Sequence, residues 1–512
     1  MLHWSRLALL LACSSCALRA QEIHNHPVPE RLGHVSFPIS CSPSVQTEFN
    51  RGIALLHSFA YGPANATFQK IAAQDPQCAM AHWAIAMTLF HPLWDLLSPS
   101  SVPTATHEIT AAQRLGTTEP REKAYIHAYS LLIENADSTP FPVRNQHYEQ
   151  AMHDLAQQNK SDVEAQVFYA LALLSNAPAA DKTHARQKHA LDILEPLDRA
   201  NPDHPGITHY IIHASDSSEL ASRGLPAARK YARVAPSAPH ALHMPSHIFT
   251  RLGLWQDSIY SNLAAAQAAR DQHDVGEEVH AMDYLVYAYL QLGRSNQARH
   301  IVDQLAQMKS LDRSDFKIVY AATAMPVRYA VERHQWNEAV IINPYPKSLP
   351  QVAAIATWAK ALGHLRAGGL SDARNEISAL TAYEDQLHRM GNEYWAAQTS
   401  ILRNEVLAWS LQANRKPGEA ESQMRAAADQ EDALEKLPVT PGPIVPAREQ
   451  LGELLLQQHR PTEAAKEFKA SLVNAPNRKG AMDGLRDAEQ DPKLKLGHQN
   501  ETSAGSVTRI TD

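Results

Sequence analysis

The chain has 512 residues, 44% of them hydrophobic, and a formal net charge of −7 spread without long runs of one sign. That length exceeds one ordinary globular core, so the chain is either several domains or a repeat array that grows by stacking. The mild negative charge leaves no electrostatic footprint for DNA or RNA, so no nucleic-acid partner is expected. No glycine-rich phosphate loop and no GxSxG nucleophile elbow is present.

The first residues, MLHWSRLALLLACSSCALRAQ, read as a short basic start, an apolar run and then small residues. This is the pattern of an export signal over residues 1–20, and it predicts a periplasmic or secreted chain. The LLAC string ending at Cys13 keeps open the alternative of lipid anchoring through that cysteine. No later stretch reaches the ~18–20 uninterrupted apolar residues of a membrane helix. Cleavage after Ala20 leaves Cys41 and Cys78, an even pair that suggests one disulfide in an oxidising compartment, with two buried free thiols as the other reading. Residues 21–44 carry prolines and no helical period, so they read as an extended arm.

From residue 45 to 488 alanine and leucine recur at helical spacing, and period-two runs of β-branched residues are scarce. One triplet occurs four times: Ala64, Phe68 and Pro76; Ala190, Leu194 and Pro202; Ala227, Tyr231 and Pro239; Ala464, Phe468 and Pro476. The alanine lets two helices approach, the large residue fills the gap one turn on, and the proline ends the helix. Turn strings ending at Ser258, Ala298, Ala339, Ala373, Ala420 and Ala464 recur 34 to 47 residues apart. Such a period signals a solenoid of helical hairpins. Two proline-rich insertions, His91–Pro103 and Leu437–Pro446, interrupt the helices and are expected to lie across a face. Residues 489–512 lack the apolar side chains needed to pack and read as a polar, disordered tail.

These units resemble tetratricopeptide repeats. The unit from Leu451, Gly452 and Leu455 through Ala464, Phe468 and Pro476 matches best, and Trp83, Ala84 and Met87 echo the first-helix pattern; residues 91–188 match poorly. Strings such as FPISC, CAMAHWAIAM, HALHMPSHIF and TPGPIVPAREQLG also resemble a group of exported bacterial tetratricopeptide-repeat proteins. The resemblance implies an all-α, right-handed superhelical solenoid, irregular in the middle, whose first helices line a concave groove.

The interval from His204 to Asp283 holds eight of the 27 histidines. His240, His243 and His247 lie 13, 10 and 6 residues before Gly253, and His280, Asp283 and Tyr287 lie 13, 10 and 6 before Gly293. Spacings of three and four place each set on one helical face, and the resemblance places both sets in the groove. His209 and His213, at i and i+4, extend the set from the preceding hairpin, with Asp216 just beyond. Imidazoles converging with a carboxylate suit a divalent transition metal. On this reading His240, His243, His247, His280 and Asp283 are metal ligands, and His209, His213, Asp216 and Tyr287 line the ligand site. HYIIH lacks the glutamate of HExxH, which disfavours a zinc protease of that type. Pro245 must kink the helix or start a new one. Structural histidines bonded to carbonyls and carboxylates, and acid–base catalysis without metal, are the competing readings. His57, His82 and His91 are expected to be local packing residues.

The first functional expectation is a non-catalytic scaffold holding a protein, peptide or small ligand in the groove. The alternative is a metal-binding protein or metalloenzyme built on the histidine cluster.

Overall fold

The computed structural model describes residues 30–93, 97–309, 311–367 and 373–490. The expected signal, the LLAC string, residues 21–29 of the arm and residues 491–512 of the tail lie outside the described residues. The described chain from Arg31 onward belongs to one compact unit. It is all-α, running from helix Gln46–His57 to helix Lys479–Gln490, two residues past the expected end of the array at 488.

Local chemistry sets the helix ends. Proline opens the helices Pro120–Ile133, Pro205–Ala214, Pro350–Arg366 and Pro461–Asn474, where its missing N–H would have had no partner. Asp162, Asp274 and Asp315 cap helices by accepting from first-turn N–H groups. Successive helices pack as neighbours, including the four that span residues 102–175, so the hairpin stack continues where the repeat pattern fades.

The alanine and the large residue of the recurring triplet have the roles their spacing suggests. Pro76, Pro202 and Pro476 lie just past helix ends; Pro239 instead opens helix Pro239–His243, after Ala221–Val234 has already ended. Ala64, Ala190, Ala227 and Ala464 are buried, as are Phe68, Leu194, Tyr231 and Phe468. A Cβ on Gly52 would lie 2.4 Å from the Phe68 ring, and one on Gly452 would lie 2.7 Å from Phe468. The large residue of the second helix thus fills the notch left by a glycine of the first.

Residues 31–42 lie without helix against the first half of the array. The Arg31 N–H donates to Ser237 Oγ at 2.8 Å and the His34 N–H to the Asp203 carbonyl at 2.9 Å. Phe37 is fully buried with ring centroids 5.0 to 5.5 Å from Phe49, Trp83 and Tyr125. Cys41 and Cys78 form a disulfide with Cα atoms 5.0 Å apart and a sequence separation of 37. In the loop-entropy model such a closure restricts the unfolded chain by about 4 kcal/mol.

The end of the array folds back on its middle. Gly253 has φ 66°, and a Cβ there would lie 2.2 Å from the Pro476 carbonyl oxygen. Only glycine satisfies both the left-handed turn and that approach. The Trp255 indole N–H donates to the Asn477 carbonyl at 2.9 Å, and the Lys479 N–H donates to Gln291 Oε1 at 2.9 Å. The second insertion, Leu437–Pro446, runs as a strap across helices Val275–Gln291 and Phe316–Val331. Tyr284 donates to the Thr440 carbonyl at 3.2 Å, and Arg328 donates to the Pro443 carbonyl at 2.9 Å and the Gly442 carbonyl at 3.2 Å. The first insertion turns at residues 91–93, and helix Val102–Leu115 takes over at its end.

Candidate metal centre

Four helices carry the six histidines of the centre. Helix Pro205–Ala214 supplies His209 and His213, Pro239–His243 supplies His240 and His243, Pro245–Arg251 supplies His247, and Val275–Gln291 supplies His280. Pro245 divides the middle pair of helices, but Met244 between them keeps helical angles, φ −53° and ψ −35°. The His247 N–H donates to the Met244 carbonyl at 3.1 Å, a one-turn i to i+3 bond that tightens the chain there. The break does not scatter the side chains: the His243 and His247 rings lie 5.0 Å apart, close to the 4.7 Å of His209 and His213 on an unbroken helix.

All six are buried, and they fall into two adjoining triads, His209, His213 and His240, and His243, His247 and His280. Within each triad the potential ligand atoms lie within 4.8 Å of one another. The triads meet where the rings of His240 and His243 are 6.0 Å apart and those of His213 and His247 are 6.0 Å apart.

Hydrogen bonds at the other ring nitrogen set the tautomers. His209 Nδ1–H donates to the His57 carbonyl at 2.6 Å, and His240 Nδ1–H to Glu277 Oε2 at 3.1 Å. His243 Nδ1–H donates to Asn262 Oδ1 at 2.6 Å; the Asn262 amide is oriented by its own donation to the Ser258 carbonyl at 2.8 Å. His247 Nδ1–H donates to Asp216 Oδ2 at 2.9 Å. With Nδ1 carrying the proton, a neutral ring presents a lone pair at Nε2. Yet His243 Nε2 and His247 Nε2 face each other at 3.0 Å. His209 Nε2 and His213 Nε2 are equally close, but His213 Nδ1 has no partner among the described residues, so His213 can donate from Nε2 to His209 in an ordinary hydrogen bond. The two lone pairs of His243 and His247, that close, repel unless a cation sits between them. A proton is a poor choice, because burial drives His243 well below its ordinary value and, against the opposing pull of Asp216, His247 down to about 4. A metal bonded to both nitrogens at about 2.0–2.1 Å would subtend roughly 95°, an acceptable ligand angle.

Outer groups fix the inner ones. Asp216 also accepts from Arg251 Nε at 2.9 Å and Lys436 Nζ at 2.6 Å, and Glu277 accepts from Lys317 Nζ at 2.7 Å. Burial alone would raise these carboxyls, but their cationic partners hold both well below the usual carboxylate range. Between the triads a cavity of about 10 Å³ is walled by His213, His240, His247 and His280 and closed by Met244 and the strap residues Pro438 and Val439. That is about the space of one water. A cleft of about 270 Å³ reaches His213 from outside, lined by Pro92 and Leu93 of the first insertion and by Lys436, Leu437 and Pro438 at the second.

A third group, His57, Glu164 and His204, shows what a self-satisfied cluster looks like. His57 Nε2–H donates to Glu164 Oε2 at 2.8 Å and His204 Nε2–H donates to Glu164 Oε1 at 2.9 Å. Tyr210 donates to His57 Nδ1 at 2.9 Å and the Ile207 N–H to His204 Nδ1 at 3.2 Å. Here every proton has an acceptor and no lone pairs face each other. His82 pairs with Glu108 at 2.7 Å, and His91 stacks on Tyr61 at 4.0 Å.

Two of the residues expected at the centre sit apart from it. Asp283 belongs to neither triad; its nearest charge is Arg328 Nε at 3.9 Å, and neither carboxylate oxygen meets a hydrogen-bond donor among the described residues. Tyr287 lies under Arg328, with the guanidinium carbon 4.4 Å from its ring centroid, and accepts from Arg478 at 3.2 Å. Tyr284, one position past Asp283, takes the place instead, its ring 4.7 Å from His243 and its hydroxyl 3.4 Å from His247 Nε2. Tyr284 lies at i+4 from His280, and Glu277 at i−3, so helical spacing could have found both. Asn262 comes from the second helix of the His243 and His247 hairpin, and Lys317 and Lys436 from elements further along the chain; none leaves a local signal.

Burial raises the Asp283 carboxyl from its ordinary 3.8 to about 6, with Arg328 opposing. A raised acid stabilises the fold fully below its unfolded value and loses that contribution as pH climbs through about 6. Asp283→Asn is therefore expected to gain about 1–3 kcal/mol above pH 6 and to flatten the pH dependence of the thermal midpoint between 4 and 6. Identical pH profiles for the two proteins would count against this assignment.

No protein-family model matches this sequence, and no curated protein matches it. Solved structures that it resembles include the TPR domain of P58(IPK), at 15% identity over 89% of this chain and 99% of that one, TM-score 0.23. Yeast Tom70 aligns at 11% identity over 88% and 91%, TM-score 0.31. A monomeric IFIT1 mutant with Gppp-AAAA aligns at 10% over 80% and 90%, TM-score 0.37. At these scores the reading of the centre rests on this chain's own residues.

Proposed function

We propose that this chain is a metal-binding protein whose helical-hairpin framework holds two adjoining transition-metal ions, one in each histidine triad. The observation that carries the reading is the 3.0 Å approach of His243 Nε2 to His247 Nε2 with both Nδ1 protons committed to Asn262 and Asp216. His209, His213 and His240 would hold the first ion, and His243, His247 and His280 the second. Neutral imidazoles with a fixed tautomer are good donors for zinc, copper, iron or nickel, and behind four of the six, His209, His240, His243 and His247, a carbonyl, an amide and two carboxylates supply the orientation that metal histidines need. Stacked hairpins are a general binding framework. At this centre the chain's own strap covers the face where a peptide or protein ligand was the first expectation, which favours a small inorganic occupant. We further propose that the chain is exported, on the strength of its N-terminal pattern, and belongs with the exported bacterial repeat proteins whose HALHMPSHIF-type strings it shares.

Elemental analysis of full-length protein purified without a histidine tag tests the reading. Two metal equivalents per chain are expected, with one lost in His213→Ala and the other in His247→Ala. Asp216→Asn removes the acceptor behind His247 and is expected to weaken the second ion by about 10–100-fold, measured by chelator competition. Protein that takes up no metal, with a thermal midpoint indifferent to added ions, would overturn it.

A further inference from the structure

We infer that the ion these triads select is monovalent copper, an inference that rests on the two-site reading above. The donors are six imidazoles with no carboxylate among them. The nearest carboxylates, Asp216 and Glu277, spend their oxygens on histidine Nδ1 protons and on the cations Lys436, Arg251 and Lys317. The shell therefore carries no net negative charge to offset two dications held in neighbouring triads. Coulomb repulsion scales with the product of charges, so two monovalent ions at the same separation repel about fourfold less.

Space and softness point the same way. Zinc on three histidines keeps a water as its fourth ligand, and two such ions would need room for two waters. The enclosed cavity between the triads measures about 10 Å³, enough for about one; a second would have to sit in the open cleft at His213. Copper(I) is content with three nitrogens and needs no further ligand. Met244, fully buried in the wall of that cavity, adds a thioether, a donor type that favours copper(I) over zinc. It shares that wall with His213 and His240 of one triad and with His247 and His280 of the other.

The test uses metal-depleted full-length protein under anaerobic conditions. Copper(I) is titrated against bicinchoninate and zinc(II) against a chromophoric zinc chelator, with elemental analysis after gel filtration. Two copper equivalents are expected, bound at least about 100-fold more tightly than zinc, and Met244→Leu is expected to weaken copper about tenfold while leaving zinc unchanged. Two zinc equivalents bound as tightly as copper would overturn the copper assignment and leave the two-site reading standing. Uptake of neither ion would overturn both. A Met244→Leu protein with unaltered copper affinity would remove the thioether from the selection and overturn that part.

Discussion

Replacing Arg478 with alanine is expected to cost about 3–5 kcal/mol, the range for breaking a buried ion network from one side. Arg478 is fully buried at the turn before the last helix. Its Nε donates to Glu449 Oε2 at 2.7 Å, its Nη1 to Glu332 Oε1 at 3.1 Å and to the Tyr287 hydroxyl at 3.2 Å, and its Nη2 to the Ile444 carbonyl at 3.3 Å. One side chain thus ties together the last hairpin, the strap and helix Val275–Gln291. Alanine would leave Glu332 and Glu449 as buried carboxylates without their shared cation. Arg478→Lys keeps the charge but not the fork of donors, and an intermediate loss is expected. Adding Glu449→Gln to Arg478→Ala should recover part of the loss, since one of the stranded charges is removed. Thermal unfolding followed by circular dichroism measures all four proteins. An Arg478→Ala midpoint equal to that of wild type would refute the role given to the network.

Metal loading is expected to stabilise the folded chain by about 4 kcal/mol per site at a free ion concentration 1,000 times the dissociation constant. The histidines of one triad come from two or three helices, so the unfolded chain does not gather them. In the folded chain the paired Nε2 atoms are already 3.0 Å apart. At the His243 and His247 pair binding then relieves a repulsion as well as forming bonds, and little reorganisation opposes it. The His213→Ala, His247→Ala double variant should show no metal-dependent shift in thermal midpoint. A shift of wild-type size in that variant would place the ions elsewhere. Glu164→Gln is the contrasting control: it disturbs the hydrogen-bonded His57 and His204 brace, and metal stoichiometry should stay at two.

Much of this was legible in the residues. The alanine, large residue and proline triplet marked the hairpins because packing two helices at one notch demands those sizes at that spacing. The i, i+4 histidine pairs 209/213 and 243/247 marked the centre because that spacing puts two rings over one turn. The register taken from Gly253 and Gly293 misplaced Asp283 and Tyr287. It equated a continuous helix, Val275–Gln291, with one interrupted at Pro245, and the two do not advance their side chains alike. Tyr284 therefore meets His243, and Asp283 turns to Arg328. Contacts such as Lys436 with Asp216, 220 residues apart, depend on how hairpins stack and how the strap crosses them, and no local pattern encodes that.

The strap has a consequence for how the protein is made. Every proposed ligand lies between His209 and His280, whereas the residues that close the cavity, Pro438 and Val439, come more than 150 positions later. As the chain emerges during synthesis, the histidines appear first and their cover last. Closing so distant a contact is slow compared with forming a hairpin. In that interval the triads stand open, so on the metal-binding proposal an ion could enter before the strap closes, without passing the narrow cavity between strap and helices.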